Sequence, residues 1–368
     1  MKKRILSLLT AFSMLLGLSA CATEIRSRPG ATPPTPLVDH SAPSDIQIYT
    51  DGCGRQVEIP TEIRRIVASG PLTQIILFAI APEMLVGLNE KWSEGAKEYV
   101  ADEYLSLPVF GQLYGSANLN VEELAAAAPD LIIDIGEGKP SVAEDMDKLQ
   151  AQTQIPCIHI EATLATMPET ICKLGIILGK QEIADELASF CEKVYQRTAY
   201  LMDRVGKNKV KALYILGSDG LNVLAKDSYH AELIDLLTDN LAVIDSPTAR
   251  GTGNAVTMEQ IALWNPDCIL FAPGSIYATA AEREGWKELS AIQSGNYIEI
   301  PNDPYNWMGM PPAVQRYLGL IWLPSVLYPE YCDYDVKAEI TEYYRLFYGC
   351  ELTDEQYAAL TANAFLRT

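Results

Sequence analysis

The sequence is poor in histidine, in net positive charge and in regularly spaced cysteine, and each shortage removes a class of function. Its 368 residues hold three histidines, His40, His159 and His230. A multi-His zinc or manganese centre needs more imidazoles than these can bring together. They also leave little material for a general base, and no HExxH, G-x-S-x-G or Ser–His–Asp order is present. A net charge of −20 with no basic patch would repel phosphate backbones, which excludes nucleic acid as a partner. Apart from Cys21, the cysteines at 53, 157, 172, 191, 268, 332 and 350 are scattered and form no CxxC pair. Neither a disulfide framework nor a zinc or iron–sulfur site follows. Most are expected to be small buried hydrophobes, with a Cys332–Cys350 bridge left open. Neither a metal nor a cofactor is expected.

What is present describes a large, exported, folded body. A chain of 368 residues exceeds the roughly 250–300 at which one core usually stops growing, so two domains are expected. The start, MKKRILSLLTAFSMLLGLSAC, has a basic segment, a short apolar run and small residues before Cys21. Residues 1–20 therefore read as a signal peptide, and LSAC resembles the lipobox of bacterial lipoproteins, in which this Cys is lipidated. Loss of Lys2, Lys3 and Arg4 takes the charge from −20 to about −23. Residues 21–44, with Pro29, Pro33, Pro34, Pro36 and Pro43, read as a tether between the lipid anchor and the body.

From residue 45, short apolar runs alternate with helical stretches. IRRIVAS, MLVGL, LPVFGQ, PDLIIDIG and IPCIHIEA read as strands, with helices at PLTQIILFAIAP, NVEELAAAA and SVAEDMDKLQAQTQ. VKALYILGS, LAVID, PDCILFAP and NYIEIP repeat the pattern beyond residue 207, interleaved with HAELIDLLTDN and TMEQIALWN. Continuous apolar strands separated by helices indicate parallel sheets covered on both faces. Residues 167–206 keep helical spacing for nearly forty positions, with a break foreseen at Gly179-Lys180. The expected fold is α/β: an N-terminal lobe (45–166), a long connecting helix (167–206) and a C-terminal lobe with terminal helices (207–368). A stiff connector favours a ligand cleft between the lobes with limited closure.

One unit occurs twice. NVEELAAAAPDLIID at residue 120 returns 137 residues later as TMEQIALWNPDCILF, aligning Glu122 with Glu259, Pro129 with Pro266 and Asp130 with Asp267. Asn120 and Thr257 suit N-caps, with Glu123 and Gln260 at the capping-box position. Glu122 and Glu259 have no capping duty; each can favour a helix start electrostatically or serve a partner.

The opening DGCGRQVEIPTEIRRIVASGPLTQ, with Asp51, Gly54-Arg55, Pro60 and Arg65-Ile66-Val67, resembles the class III substrate-binding proteins of ABC importers. This family takes up ferric siderophores, haem and cobalamin. The similarity extends over about residues 46–350, through the repeated unit, the connecting helix and LGLIWLPSVLYPE. It implies a monomeric binding protein, not an enzyme, held at the extracytoplasmic face of the cell membrane and serving an ABC permease dimer with its ATPase. In that family one Glu per lobe engages the permease, which carried over by position gives Glu122 and Glu259.

Ligands of open α/β sheets sit beyond the carboxyl ends of strands. The candidate loops are 69–74, 89–92, 111–118, 136–139, 217–220, 249–253, 272–277 and 303–312. Thr73 lies in the first, and Trp92, Tyr114, Tyr277, Tyr305 and Trp307 offer aromatic faces to a conjugated chelate. Arg250, between Ala249 and Gly251 in a glycine-rich loop, is the strongest polar candidate because it can hold an anion bidentately. Lys91 and Lys139 are weaker; GEGK lacks P-loop spacing. His159 reads as a core residue and His230 as a cap or surface residue. Where many relatives carry Ser-Trp-Asp-Arg, this chain has Asn306-Trp307-Met308-Gly309, which leaves ligand identity open between an iron(III) chelate and molybdate or tungstate. A carboxylate-dependent secreted hydrolase and a surface adhesin are the alternatives of other classes.

Overall fold

The computed structural model describes residues 45–248 and 251–366. Cys21 and the tether lie outside the described residues. The body opens on a hairpin, β1 (Ile46–Thr50) antiparallel to β2 (Gln56–Pro60). Asp51 makes its turn: Oδ1 accepts the Cys53 and Arg55 backbone N–H groups at 3.0 and 2.9 Å. Arg55 then donates to Asp51 Oδ2 and to the Cys157 carbonyl, at 2.9 and 3.1 Å, fastening the hairpin to the sheet of its own N-terminal lobe.

The N-terminal lobe continues with β3 (Ile66–Ala68), α1 (Pro71–Ile80), α2 (Asp102–Leu105), α3 (Val121–Ala126), β4 (Leu131–Gly136), α4 (Val142–Thr153) and β5 (Cys157–Glu161). Strands β3, β4 and β5 form a parallel sheet in that order. All of β3 and β4 is buried, the pattern expected of strands covered on both faces. MLVGL and LPVFGQ shrink to single bridges, Leu85 to Ile66 and Leu88 to Val109. A 3-10 turn at Pro82–Met84 consumes the start of the first run, and Pro108 has no N–H with which to extend the second.

Residues 167–206 are two helices, not one. α5 (Met167–Leu178) ends at Gly179, whose φ of 64° is left-handed, and α6 (Gln181–Val205) folds back against it. At 1.5 Å per residue the 25-residue α6 is about 37 Å long. Lys180 before its first turn pairs with Glu83 of the N-terminal lobe at 2.6 Å. Arg204 at its last turn lies 5.0 Å from the Tyr331 ring centre of the C-terminal lobe. Leu187, Cys191, Val194, Thr198, Leu201 and Val205 form its buried stripe.

The C-terminal lobe follows: β6 (Lys211–Leu216), β7 (Asn222–Val223), α7 (Glu232–Leu237), β8 (Asp239–Asn240), β9 (Asn254–Ala255), α8 (Met258–Trp264), β10 (Cys268–Phe271), α9 (Ser290–Gln293) and β11 (Tyr297–Glu299). Strands β11, β10, β6 and β8 are parallel, whereas β7 and β9 add an antiparallel corner. LAVID is not a strand. β8, just before it, takes Lys211 and Ala212 of β6, and β7 occupies the same edge at Ile215 and Leu216.

Helices α10 (Arg316–Leu327), α11 (Val336–Tyr348) and α12 (Asp354–Leu360) close the chain. α10 packs on α6, and α11 reaches back to α1. One buried cluster therefore runs from Ile76 in α1 through Leu187 in α6 to Leu320 and Tyr343 in α10 and α11. The lobes share a core, which resists large hinge motion. All seven described cysteines are free; Cys332 Sγ lies beside Tyr334 Oη and Cys350 Sγ beside the Glu98 carbonyl. Among the described residues no helix is long and apolar enough to cross a membrane.

Candidate functional site

A cavity of about 740 Å³ lies between the lobes. Its N-terminal wall is the end of β3 and the first turn of α1 (Ser69–Thr73), the loop at Gln112–Ser116 and the end of β4 with Glu137 and Lys139. Its C-terminal wall is Tyr229, His230, Gly251, Thr252, Pro311 and Pro312.

Backbone and buried side chains fix the N-terminal wall. Thr73 Oγ1 accepts the Ile135 N–H at 2.9 Å, tying the start of α1 to β4. Asn89 Nδ2 donates to the carbonyls of Ala68 and Gly111, both at 2.8 Å, and Leu113 N–H donates to the Ser69 carbonyl at 2.8 Å. Gly111 must be glycine: φ is 82°, and a Cβ would stand 2.4 Å from the Asn118 carbonyl oxygen. Asp134 accepts from the Ser69 hydroxyl and meets His159 Nδ1 at 2.7 Å. The carboxylate thus separates hydroxyl from imidazole, so they do not form a nucleophile–base pair. Tyr114 donates to Asp145 at 3.2 Å and lies under Lys139 Nζ, 5.4 Å from its ring centre. Burial, then Asp134 and Asp145, push its phenol above the ordinary range, keeping it neutral.

The C-terminal wall has the opposite electrical character. His230 is pushed down to about 4 by burial, then by the Arg316 and Lys139 cations. It is neutral near pH 7, in a positive local field. Tyr229 donates across the cleft to the Ala162 carbonyl at 3.0 Å. Among the described residues no group of three or more His, Cys, Asp or Glu side chains is placed to hold a metal ion.

The sequence-predicted residues separate into three groups. Thr73 and Tyr114 line the cavity. Arg250 lies outside the described residues, although Gly251 and Thr252 beside it line the cavity. Trp92, Tyr277, Tyr305 and Trp307 are not on its walls; they are core residues. Trp92 packs edge-on against Phe78 and donates to the Tyr104 carbonyl. Tyr305 leans on Trp92, and its hydroxyl accepts from Gln74. Trp307 sits against Trp322, and Tyr277 against Phe271 and Tyr297. Correspondingly, loops 89–92, 217–220 and 272–277 do not line the cavity. The last is turned into a core with Ile276 and Trp286.

Asp134, Tyr229 and Arg316 were not among the sequence candidates. Asp134 did carry a signal, a lone charge inside the apolar run LIIDIG. The sequence suggests a cap or surface residue at His230, whereas the side chain belongs to the cavity wall.

The repeated unit forms a second feature. Asn120 caps α3 by accepting the Glu123 N–H at 3.2 Å, and Thr257 caps α8 through Gln260 at 3.2 Å. Each unit ends in a left-handed residue, Ala128 with φ 44° and Asn265 with φ 43°. Asp130 Oδ2 accepts the Arg64 and Arg65 N–H groups at 2.8 and 2.9 Å, and Asp267 Oδ2 the Lys211 N–H at 3.3 Å. The repeated Asp therefore fastens each unit to the next strand. Glu122 and Glu259 are exposed, one on each lobe. The backbone N–H of Glu259 itself, then the Thr257 hydroxyl, hold the Glu259 carboxyl below its ordinary range.

Residues 81–304 match the family described as Periplasmic binding protein. An ABC transporter solute binding protein from Sulfurospirillum deleyianum is 26% identical with a TM-score of 0.79, covering 86% of this chain and 99% of its own. A periplasmic solute binding protein from Veillonella parvula is also 26% identical, with a TM-score of 0.68 and coverage of 87% and 98%. The molybdate-bound MolA of Haemophilus influenzae shares the fold at 23% identity and TM-score 0.68, covering 83% and 99%. No curated protein matches. The family match spans well over half of the sequence, and the two-lobed architecture agrees with it: the chain belongs to the periplasmic binding protein family, as a class III solute-binding component of an ABC transporter.

Proposed function

We propose that this protein captures an iron(III) chelate, of the siderophore-, haem- or cobalamin-like kind, and delivers it to an ABC importer. The observation that carries this reading is the size of the interlobe cavity. At about 740 Å³ it falls within the roughly 300–1,000 Å³ typical of sites for drug-sized organic ligands. A tetrahedral oxyanion would leave most of it unfilled. Thr73 and Tyr114 would contact the ligand from the N-terminal lobe, and Arg250 from the C-terminal lobe. Cys21 would carry the lipid anchor at the outer face of the cell membrane, with residues 21–44 as the tether. Glu122 and Glu259 would meet the two permease subunits.

A molybdate or tungstate ligand is the second reading. The first turn of α1 lines the cavity, and a helix N-terminus attracts anions; the Haemophilus influenzae neighbour carries molybdate. Calorimetric titration with a ferric tris-catecholate, a ferric trihydroxamate, haem, cobalamin and molybdate separates the two. Tight binding of a chelate supports the first reading, and binding of molybdate alone supports the second.

A further inference from the structure

Arg316, the first residue of α10, is completely buried. Its Nη1 donates to Glu232 Oε2 at 2.7 Å, while Nε and Nη2 have no hydrogen-bond partner. These two nitrogens share one edge of the planar guanidinium, the edge that can grip two anionic oxygens side by side. A buried arginine with a purely structural role would normally satisfy such an edge with backbone carbonyls. Here only one side of the group is paired, and leaving the rest of a buried cation unmatched is costly.

Its surroundings place it one layer behind the cleft. The Tyr229 ring centre is 5.6 Å from Arg316 Cζ. A Cβ on Gly309 would meet both Arg316 Cδ, at 2.6 Å, and Pro312 Cα, at 3.2 Å. Tyr229, His230 and Pro312 all belong to the cavity wall. His230 Nδ1 is also without a partner. Glu232 is committed elsewhere as well, accepting the Leu164 N–H with both oxygens at 2.8 and 3.0 Å. The acidic groups Asp134 and Glu137 stand on the opposite lobe.

We infer that Arg316, with His230 beside it, is an anion-recognition point of the cleft, reached when Tyr229 turns aside. The group it takes is a pair of anionic oxygens, as a carboxylate, a catecholate or a tetrahedral oxyanion presents. Tyr229 exchanges one hydrogen bond, to the Ala162 carbonyl, for access of the ligand to the buried edge. The inference rests on the proposed solute-binding role of the cleft and assigns it a specificity-determining residue.

The test uses ferric tris-catecholate and molybdate as probes, with binding measured by calorimetry and the His230 imidazole followed by NMR. Arg316→Lys keeps a cation for Glu232 but has no two-nitrogen edge; it should bind the recognised probe about tenfold or more weakly, with little loss of thermal stability. Glu232→Gln leaves the edge intact and should retain anion binding. On binding to wild type, the anion should raise the His230 pKa by offsetting the neighbouring cations. Equal binding by wild type and Arg316→Lys would overturn the inference, as would parallel loss in Arg316→Lys and Glu232→Gln. Ferric catecholate bound equally by both would preserve the chelate reading and discard Arg316. Molybdate alone, bound through Arg316, would preserve the subsite and discard the chelate. Failure of wild type to bind either probe would overturn the anion subsite while leaving family membership untouched.

Discussion

His230 stands in the cleft wall as a buried imidazole that resists protonation. An ordinary histidine titrates near 6.5, whereas burial, Arg316 and Lys139 push this one down to about 4. Above pH 6.5 the imidazole is neutral in the folded and unfolded chains and contributes no pH dependence. Between about 6.5 and 4 the unfolded chain takes up a proton that the folded one refuses, so stability falls as pH falls. The loss attributable to this residue is at most about 3 kcal/mol. His230→Gln should therefore reduce the difference in urea-unfolding free energy between pH 7 and pH 4.5. An unchanged difference would remove His230 from the acid response. Residue by residue, the sequence exposed some of the site and concealed the rest. Thr73 lies in the first turn of α1 just after β3, and Tyr114 in the loop after the Val109 bridge, and both reach the cavity. Trp92, Tyr305 and Trp307 also lie in or beside loops, yet they are drawn into an aromatic core by Phe78, Tyr104 and Trp322. Residue type cannot separate an aromatic wall from an aromatic core, because both bury apolar area and only the chain's packing decides which face meets solvent.

At the level of the element, the repeated helix–strand unit has more structural purpose than its two glutamates suggested. Asp130 and Asp267 fasten strands, while Asn120 and Thr257 cap helices. The equivalent left-handed turn is filled by Ala128 in one lobe and Asn265 in the other. Asparagine tolerates that conformation better than alanine, which pays about 1–2 kcal/mol for a left-handed backbone. Ala128→Asn should stabilise the protein by about 0.5 kcal/mol, and Asn265→Ala should destabilise it by about 1–2 kcal/mol. The second change also removes the acceptor for the Ser290 hydroxyl. Thermal melting checks the pair, and opposite shifts are expected. Long periodic helices and continuous apolar strands were legible here. The short bridging runs at Leu85 and Leu88 were not, because prolines and shared strand edges are decided by pairing partners far away in sequence.

For the whole molecule, the shared core of α1, α6, α10 and α11 makes a rigid frame with one cleft between the lobes and one acidic helix start on each. Such a frame suits the docking proposed above, in which Glu122 and Glu259 would meet the two permease subunits. Glu122→Ala and Glu259→Ala should each weaken stimulation of the transporter's ATPase, and the double change should do so further, with ligand affinity unchanged. Loss of a charge-assisted interface contact costs about 2–5 kcal/mol where the partner charge is buried. Normal stimulation by the double variant would reject this docking assignment.

The most direct test of the central claim is native mass spectrometry of the protein purified from its own cells. The account predicts a one-to-one complex whose added mass is that of an iron(III) chelate, lost when the chelate is stripped and restored when it is added back. A complex with molybdate or tungstate alone, or a protein that takes up no ferric chelate, haem or corrinoid when offered them, would contradict it.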